Sequence, residues 1–180
     1  MISPVTLSAN GSSGLLICIL LLTAACDSAV RPPPDAIAER LASHVSARSD
    51  SVRRLRVGRR GETKDALVLL APATVSAVIG ECAGPCVFRA LITPVFNVGD
   101  GLEVDFWVSE GNESRKIYSR YFDPGRRLED RSWIPVRVPV GISGLGAQLE
   151  IRVSGGPHGD LTGDWLAFAD MRIMQEAEEK

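Results

Sequence analysis

"GLEVDFWVSE", residues 101–110, sets the period of this chain. Leu102, Val104, Phe106 and Val108 fall on every second position, and Glu103, Asp105, Trp107 and Ser109 fill the positions between. Successive side chains of an extended strand point to opposite faces, so the stretch predicts a strand with one face in a core and one in water. "WIPVRVPV", residues 133–140, repeats the pattern with Ile134, Val136, Val138 and Val140. Its Pro135 and Pro139 have no N–H to give to a ladder, which places it at a sheet edge. "AQLEIRV", residues 147–153, turns Ala147, Leu149, Ile151 and Val153 inward.

"GDWLAFADMRI", residues 163–173, is apolar in both phases. Trp165, Ala167, Ala169, Met171 and Ile173 share one side and Leu166 and Phe168 the other, which predicts a strand buried on both faces near its start. Trp165 is then a core tryptophan, and Asp164 caps the strand start or anchors a loop. Further strands are expected at 52–57, 65–70, 74–79, 86–93 and 115–122. About nine short strands between Gly, Pro and Asp clusters predict an all-β domain over 51–175, an antiparallel two-sheet β-sandwich of jelly-roll type, with a charged tail at 176–180.

The chain ahead of the sandwich is built differently. "LLICILLLTAA", residues 15–25, is uncharged but only eleven residues long, where a spanning helix needs about 20. It fits the apolar stretch of a signal peptide over 1–25. Leu22-Thr23-Ala24-Ala25 ahead of Cys26 resembles the lipobox of bacterial lipoproteins. That resemblance implies cleavage before Cys26, acylation of its thiol, and a domain held to a membrane of the cell envelope, in the periplasm or at the cell surface. The segment departs from the pattern in lacking Lys or Arg before the apolar run, and Asp27 resembles an inner-membrane retention signal. Residues 26–34, with three consecutive prolines, read as an extended tether. Residues 35–50 predict a short helix capped by Asp35, with Ile37, Leu41 and Val45 on one face.

Charge and chemistry narrow the function. The 20 basic and 22 acidic side chains are interspersed, so nucleic acid is not an expected partner. Triad catalysis needs a histidine base, and there are only two. His44 lies on the expected helix, and His158 sits in the loop "SGGPHGDLTGD". Asp160 and Asp164 stand near it, but no ligands recur at metal-binding spacings. Asp164 and Asp170 lie about 20 Å apart along a strand, too far for the roughly 5 to 9.5 Å of a glycosidase pair. The oxygen-rich loops 97–105 and 154–164 supply enough acceptors for a structural Ca²⁺; no other cofactor is indicated.

Two features remain. Cys82 and Cys86 flank Ala83-Gly84-Pro85, a three-residue loop between expected strands. This predicts a hairpin closed by a disulfide in an oxidising compartment. The alternative is a redox or metal pair, but the spacing is not Cys-x-x-Cys and no His follows closely. Trp107, with Glu103 and Asp105 on its face, is the candidate sugar-stacking residue, unless the helix or a loop covers it. Tyr118 and Tyr121 fall on opposite faces, so one of them can join it.

"RVGRRGETKDALVLLAP", "DPGRRLEDRSWIPVRVPV" and "AQLEIRVSGGPHGDLTGDWLAFADMRI" together resemble a β-sandwich module attached to bacterial sulfatases and membrane glycosyltransferases. That module belongs to the galactose-binding-like, carbohydrate-binding-module-like jelly rolls, and the similarity runs from about Arg56 to Ile173. Its motifs here are Asp123-Pro124 with Arg126-Arg127, the strand led by Trp133, and Asp164-Trp165. Phe168 stands where the module has a second Trp, Met171 where it has Pro, and "GECAGPC" is an insertion. The resemblance implies a non-catalytic, glycan-binding envelope lipoprotein. The alternatives are a protein-interaction or scaffold lipoprotein of an envelope assembly, or an accessory subunit of a separate sulfatase or glycosyltransferase. Exposed aromatics on one sheet face favour the first reading and a flat apolar patch the second.

Overall fold

The computed structural model describes residues 51–79, 85–141 and 146–175. The expected signal peptide, tether, helix and tail, and with them Cys26 and Cys82, lie outside the described residues. Nine strands are formed: β1 (Val52–Arg59), β2 (Glu62–Leu70), β3 (Ala73–Val78), β4 (Cys86–Pro94), β5 (Leu102–Glu110), β6 (Glu113–Phe122), β7 (Ile134–Pro139), β8 (Gln148–Gly155) and β9 (Trp165–Gln175). They pair into a five-stranded sheet, β1-β2-β9-β4-β7, and a four-stranded sheet, β3-β8-β5-β6. Every pairing is antiparallel. Arg60 and Gly61, with φ of 46° and 83°, join β1 to β2 in a two-residue turn whose positive φ values match the strand twist.

The alternating residues close the sandwich as their period predicts. Leu102, Val104, Phe106 and Val108 from β5 face Phe88, Ile92, Leu166 and Phe168 from the other sheet in one core. Phe88 meets Phe106 edge to face, with ring centroids 5.3 Å apart. β7, the strand with two prolines, sits at a sheet edge as expected.

Two expectations fail, one over a connection and one over a bulge, and the local period encodes neither. β3 pairs with β8 in the four-stranded sheet, whereas β4 pairs with β7 and β9 in the other. The chain between them therefore crosses from sheet to sheet, and Cys82 and Cys86 do not close a hairpin. β3 and β4 each carry an inward apolar face, and both faces contribute to the one core between the sheets.

In β9 the register against β4 shifts between Arg89 and Leu91, where Asp170 takes φ of 52°. Asp170 and Met171 together oppose Ala90, a β-bulge, which resets the alternation. Leu166, Phe168 and Met171 consequently lie in the inter-sheet core, with Ile173 packed on it. Trp165, Ala167 and Ala169 lie on the outer side of the sheet with Val57, Ala66, Val68 and Trp133. Trp165 is thus a half-buried outer-face residue, edge-on to Phe96 at 5.2 Å and under Arg53 at 5.4 Å. Burial on both faces near the strand start holds: Leu166 and Ala167 are both 0% exposed.

Candidate functional site

The outer face of the four-stranded sheet carries the residues that the sequence put forward. β5 lies between β8 and β6, so Trp107 has Glu150 on one side and Lys116 on the other. Glu103, Asp105 and Trp107 share this face and are half-buried. Lys116 Nζ reaches Asp105 Oδ2 at 2.7 Å, Arg152 pairs with Glu150, and Ser119 Oγ donates to Glu103 Oε1 at 3.1 Å. Tyr121, opposite Glu103, is the tyrosine that joins this face, and its hydroxyl donates to the Asp100 carbonyl. Tyr118 instead stacks on Phe106 at 4.8 Å, towards the core.

Trp107 is not a bare platform. The Arg152 guanidinium lies over its ring at 4.6 Å and the Lys116 ammonium at 5.4 Å. The indole Nε1 and Asp105 Oδ1 are buried without partners among the described residues. Sequence reading missed Arg152, Lys116 and Glu150, because cross-strand register decides which charges meet the ring. A bulge in β6, between the partners of Phe106 and Trp107, is what brings Lys116 rather than Ile117 opposite Trp107. The arrangement alternates hydrogen-bond donors and acceptors around an aromatic body. Both cations are surface residues, with Arg152 and Lys116 side chains 47% and 39% exposed.

A second cluster forms where the loops before β5 and before β9 meet. Asp164 is 1% exposed, and its Oδ2 and the Oδ1 of Asp100 are buried without hydrogen-bond partners among the described residues. Asp100 Oδ2 accepts from the His158 backbone N–H at 2.6 Å. Burial, reinforced by the neighbouring Asp100 charge, pushes the Asp164 carboxyl from 3.8 up to about 6, against the pull of the Gly156 amide. Glycines keep the cluster open: a Cβ on Gly156 would come within 2.5 Å of Asp100 Oδ1, and one on Gly99 within 2.5 Å of the Thr162 carbonyl. Among the described residues no three His, Cys, Asp or Glu side chains converge. The two unpartnered carboxylate oxygens are hard donors of the type Ca²⁺ takes, and the cation would need about six to eight such oxygens.

The remaining sequence candidates are placed plainly. Asp164 does anchor its loop, its carbonyl accepting from Ala71 N–H at 2.9 Å. His158 is exposed in its loop. Asp130, fully buried, accepts from Arg120 at 2.8 Å and from the Asp123 amide at 2.9 Å, and "DPGRR" is a turn closed by the Arg126 and Arg127 amides donating to the Asp123 carbonyl at 3.1 and 2.7 Å. Cys86 opens β4 at 2% exposure. A cleft of about 400 Å³ opens where β9 leaves β2, floored by Ala66, Leu67, Phe168 and Met171 with Arg54 and Asp170 at its margin.

No family model matches the sequence, and no curated protein matches it. The backbone is similar to that of solved carbohydrate-binding modules. Against the CBM22-1 xylan-binding domain from Paenibacillus barcinonensis Xyn10C the TM-score is 0.50 at 11% identity, over 74% of this chain and 88% of that one. Against the CBM51-2 and INT domains of Clostridium perfringens ZmpB it is 0.50 at 12% identity, over 70% of this chain and 26% of that one. TmCBM61, solved with beta-1,4-galactotriose, aligns with a TM-score of 0.49 at 17% identity, over 74% of this chain and 88% of that one. At these identities the likeness shows the fold, the jelly roll of carbohydrate-binding modules.

Proposed function

We propose that this sandwich is a non-catalytic glycan-binding module, with the outer face of the four-stranded sheet as its binding surface. The carrying observation is the grouping of Trp107, Glu103 and Asp105 with Arg152, Lys116 and Glu150 on three adjacent strands. A sugar ring lies over the indole once the two cations swing aside, and its hydroxyls replace the Arg152–Glu150 and Lys116–Asp105 pairs. A Ca²⁺ bound at the end of the sandwich would be held by Asp100 and Asp164, and would neutralise their two buried carboxylates. A glycan array probed with the protein tests the reading, and hits lost in Trp107→Ala support it. No hit, or hits indifferent to Trp107, removes it.

The lipobox-like segment supports acylation at Cys26, which tethers the module to an envelope membrane. Labelled palmitate should enter the native protein and not Cys26→Ala; equal labelling rejects the anchor. The Cys82–Cys86 pair is proposed as a disulfide within the crossover from β3 to β4. Thiol counting on unreduced, denatured protein checks it, since a bridge leaves neither thiol titratable. One observation favours the protein-interaction reading instead: Phe96, Val98 and Leu161, 42%, 52% and 49% exposed, form an apolar rim on the loops beside Asp164. A module attached to a separate sulfatase or glycosyltransferase would use such a rim, and its co-purification with that enzyme would depend on Phe96.

A further inference from the structure

On the outer side of the five-stranded sheet three arginines stand in one row. Arg172 of β9 lies opposite Arg89 of β4, and Arg89 lies opposite Arg137 of β7. All three point away from the core, because their chain neighbours point into it. Phe88 and Ala90 flank Arg89, Val136 and Val138 flank Arg137, and Met171 and Ile173 flank Arg172, each in the inter-sheet core or packed on it. At the usual strand spacing the row spans about 10 Å.

Like charges directly opposite one another oppose sheet formation. The outward rows on either side of the arginines hold Leu91, Ala169 and Pro135, and Val87, Met174 and Pro139. No carboxylate occupies either row. Asp170, at the bulge, is held by Lys64 at 3.1 Å. Arg172 and Arg137 are exposed and Arg89 is half-buried, with its Nε buried and without a hydrogen-bond partner among the described residues. Arg137 makes further contacts, so Arg89 and Arg172 anchor the row.

We propose that this row binds an acidic polysaccharide, its guanidinium groups gripping the carboxylate or sulfate groups of the sugar chain. Arginine suits that task better than lysine, since its planar fork takes an oxyanion through two parallel hydrogen bonds. The rows bordering it offer Leu91, Pro135 and Pro139 as apolar ground for ring faces. A lipid surface is the weaker fit. The large exposed apolar side chains, Leu55, Val78, Phe96, Val98, Leu128 and Leu161, all lie outside these rows, so nothing beside the arginines inserts among acyl chains. The row is on the sheet opposite Trp107 and goes beyond the site proposed above.

Affinity electrophoresis of the full chain tests it, with polygalacturonate, dextran sulfate or neutral galactan cast into native gels. Polygalacturonate or dextran sulfate should retard the protein. Arg172→Gln, an exposed substitution that spares the core, should weaken that retardation about tenfold, and Arg89→Lys should weaken it although it keeps the charge. Trp107→Ala should leave it intact, so retardation by neutral galactan, which reports on Trp107, stands or falls separately. Retardation by the polyanions that is equal in wild type and Arg172→Gln overturns the proposal. So does co-flotation with phosphatidylglycerol vesicles together with indifference to both polyanions, which would make the partner a membrane.

Discussion

The outer face of the four-stranded sheet alternates Glu103, Asp105 and Trp107 on β5 with Glu150 and Arg152 on β8, half-buried apart from exposed Arg152. The outer face of the five-stranded sheet sinks Val68 and Ala167 to 0% exposure beneath Trp133, Trp165 and Leu70. Both faces point away from the inter-sheet core, but around Val68 and Ala167 that of the larger sheet is dry, and it is wet only further along at Arg137 and Arg172. The difference follows from position. β5 is apolar in one phase and charged in the other, whereas β2 and β9 are apolar in both and lie inside the larger sheet. Apolar alternation therefore tells which residues face the other sheet, and the second phase tells whether a further layer lies outside.

The largest effect belongs to the shared core. Phe168→Ala should cost about 3–5 kcal/mol in urea unfolding, because Phe168 is 1% exposed between the sheets. A loss below roughly 1 kcal/mol would mean that Phe168 does not lie between the two sheets as described. Trp165→Ala should cost about 2 kcal/mol, an intermediate loss fitting a half-buried outer-face ring. If it costs no more than Trp107→Ala, the two outer faces are not different in kind.

Asp164 sharpens the comparison at the sandwich end. Its carboxyl, raised from 3.8 to about 6, favours the folded state when protonated. That stability is full below about pH 4 and lost as pH rises through 6. With a chelator at pH 7, Asp164→Asn should therefore raise the melting temperature by roughly 3–6 °C. Ca²⁺ should raise that of wild type and leave the variant unmoved. A variant that melts lower in chelator would show that the buried carboxylate is already satisfied. The smallest expected stability change is at Trp107→Ala, under about 1 kcal/mol, because its ring contacts are two surface cations. Loss of glycan retention with an unchanged unfolding midpoint is the pairing that supports a binding role.

All nine strands and the edge position of β7 were legible, because period-two patterns and prolines act locally. The phase of β9 beyond Ala169 was not. A bulge needs one residue in the left-handed region, and Asp170 is a residue type that tolerates it, but many Asp residues in strands do not adopt it. The expected Cys82–Cys86 hairpin failed for a different reason: a three-residue Gly-Pro loop looks alike whether it joins neighbours or crosses between sheets. At the candidate site, Trp107, Glu103 and Asp105 shared a face as their spacing required. The cations over the ring come from β6 and β8, and nothing in one strand announces which residues of another will stand beside it.

The prolines of β7 carry a consequence for how copies of this domain meet. Val140 donates its N–H to Cys86 on β4 at 2.8 Å, so the alternate positions 135, 137 and 139 turn their backbone to the open edge. Two of those three positions are proline and have no N–H to offer. The opposite edge, β1, carries Arg53, Arg54 and Arg56 in its first five residues, and like charges repel when two such edges approach. Both edges of the larger sheet thus resist pairing with a strand from another molecule.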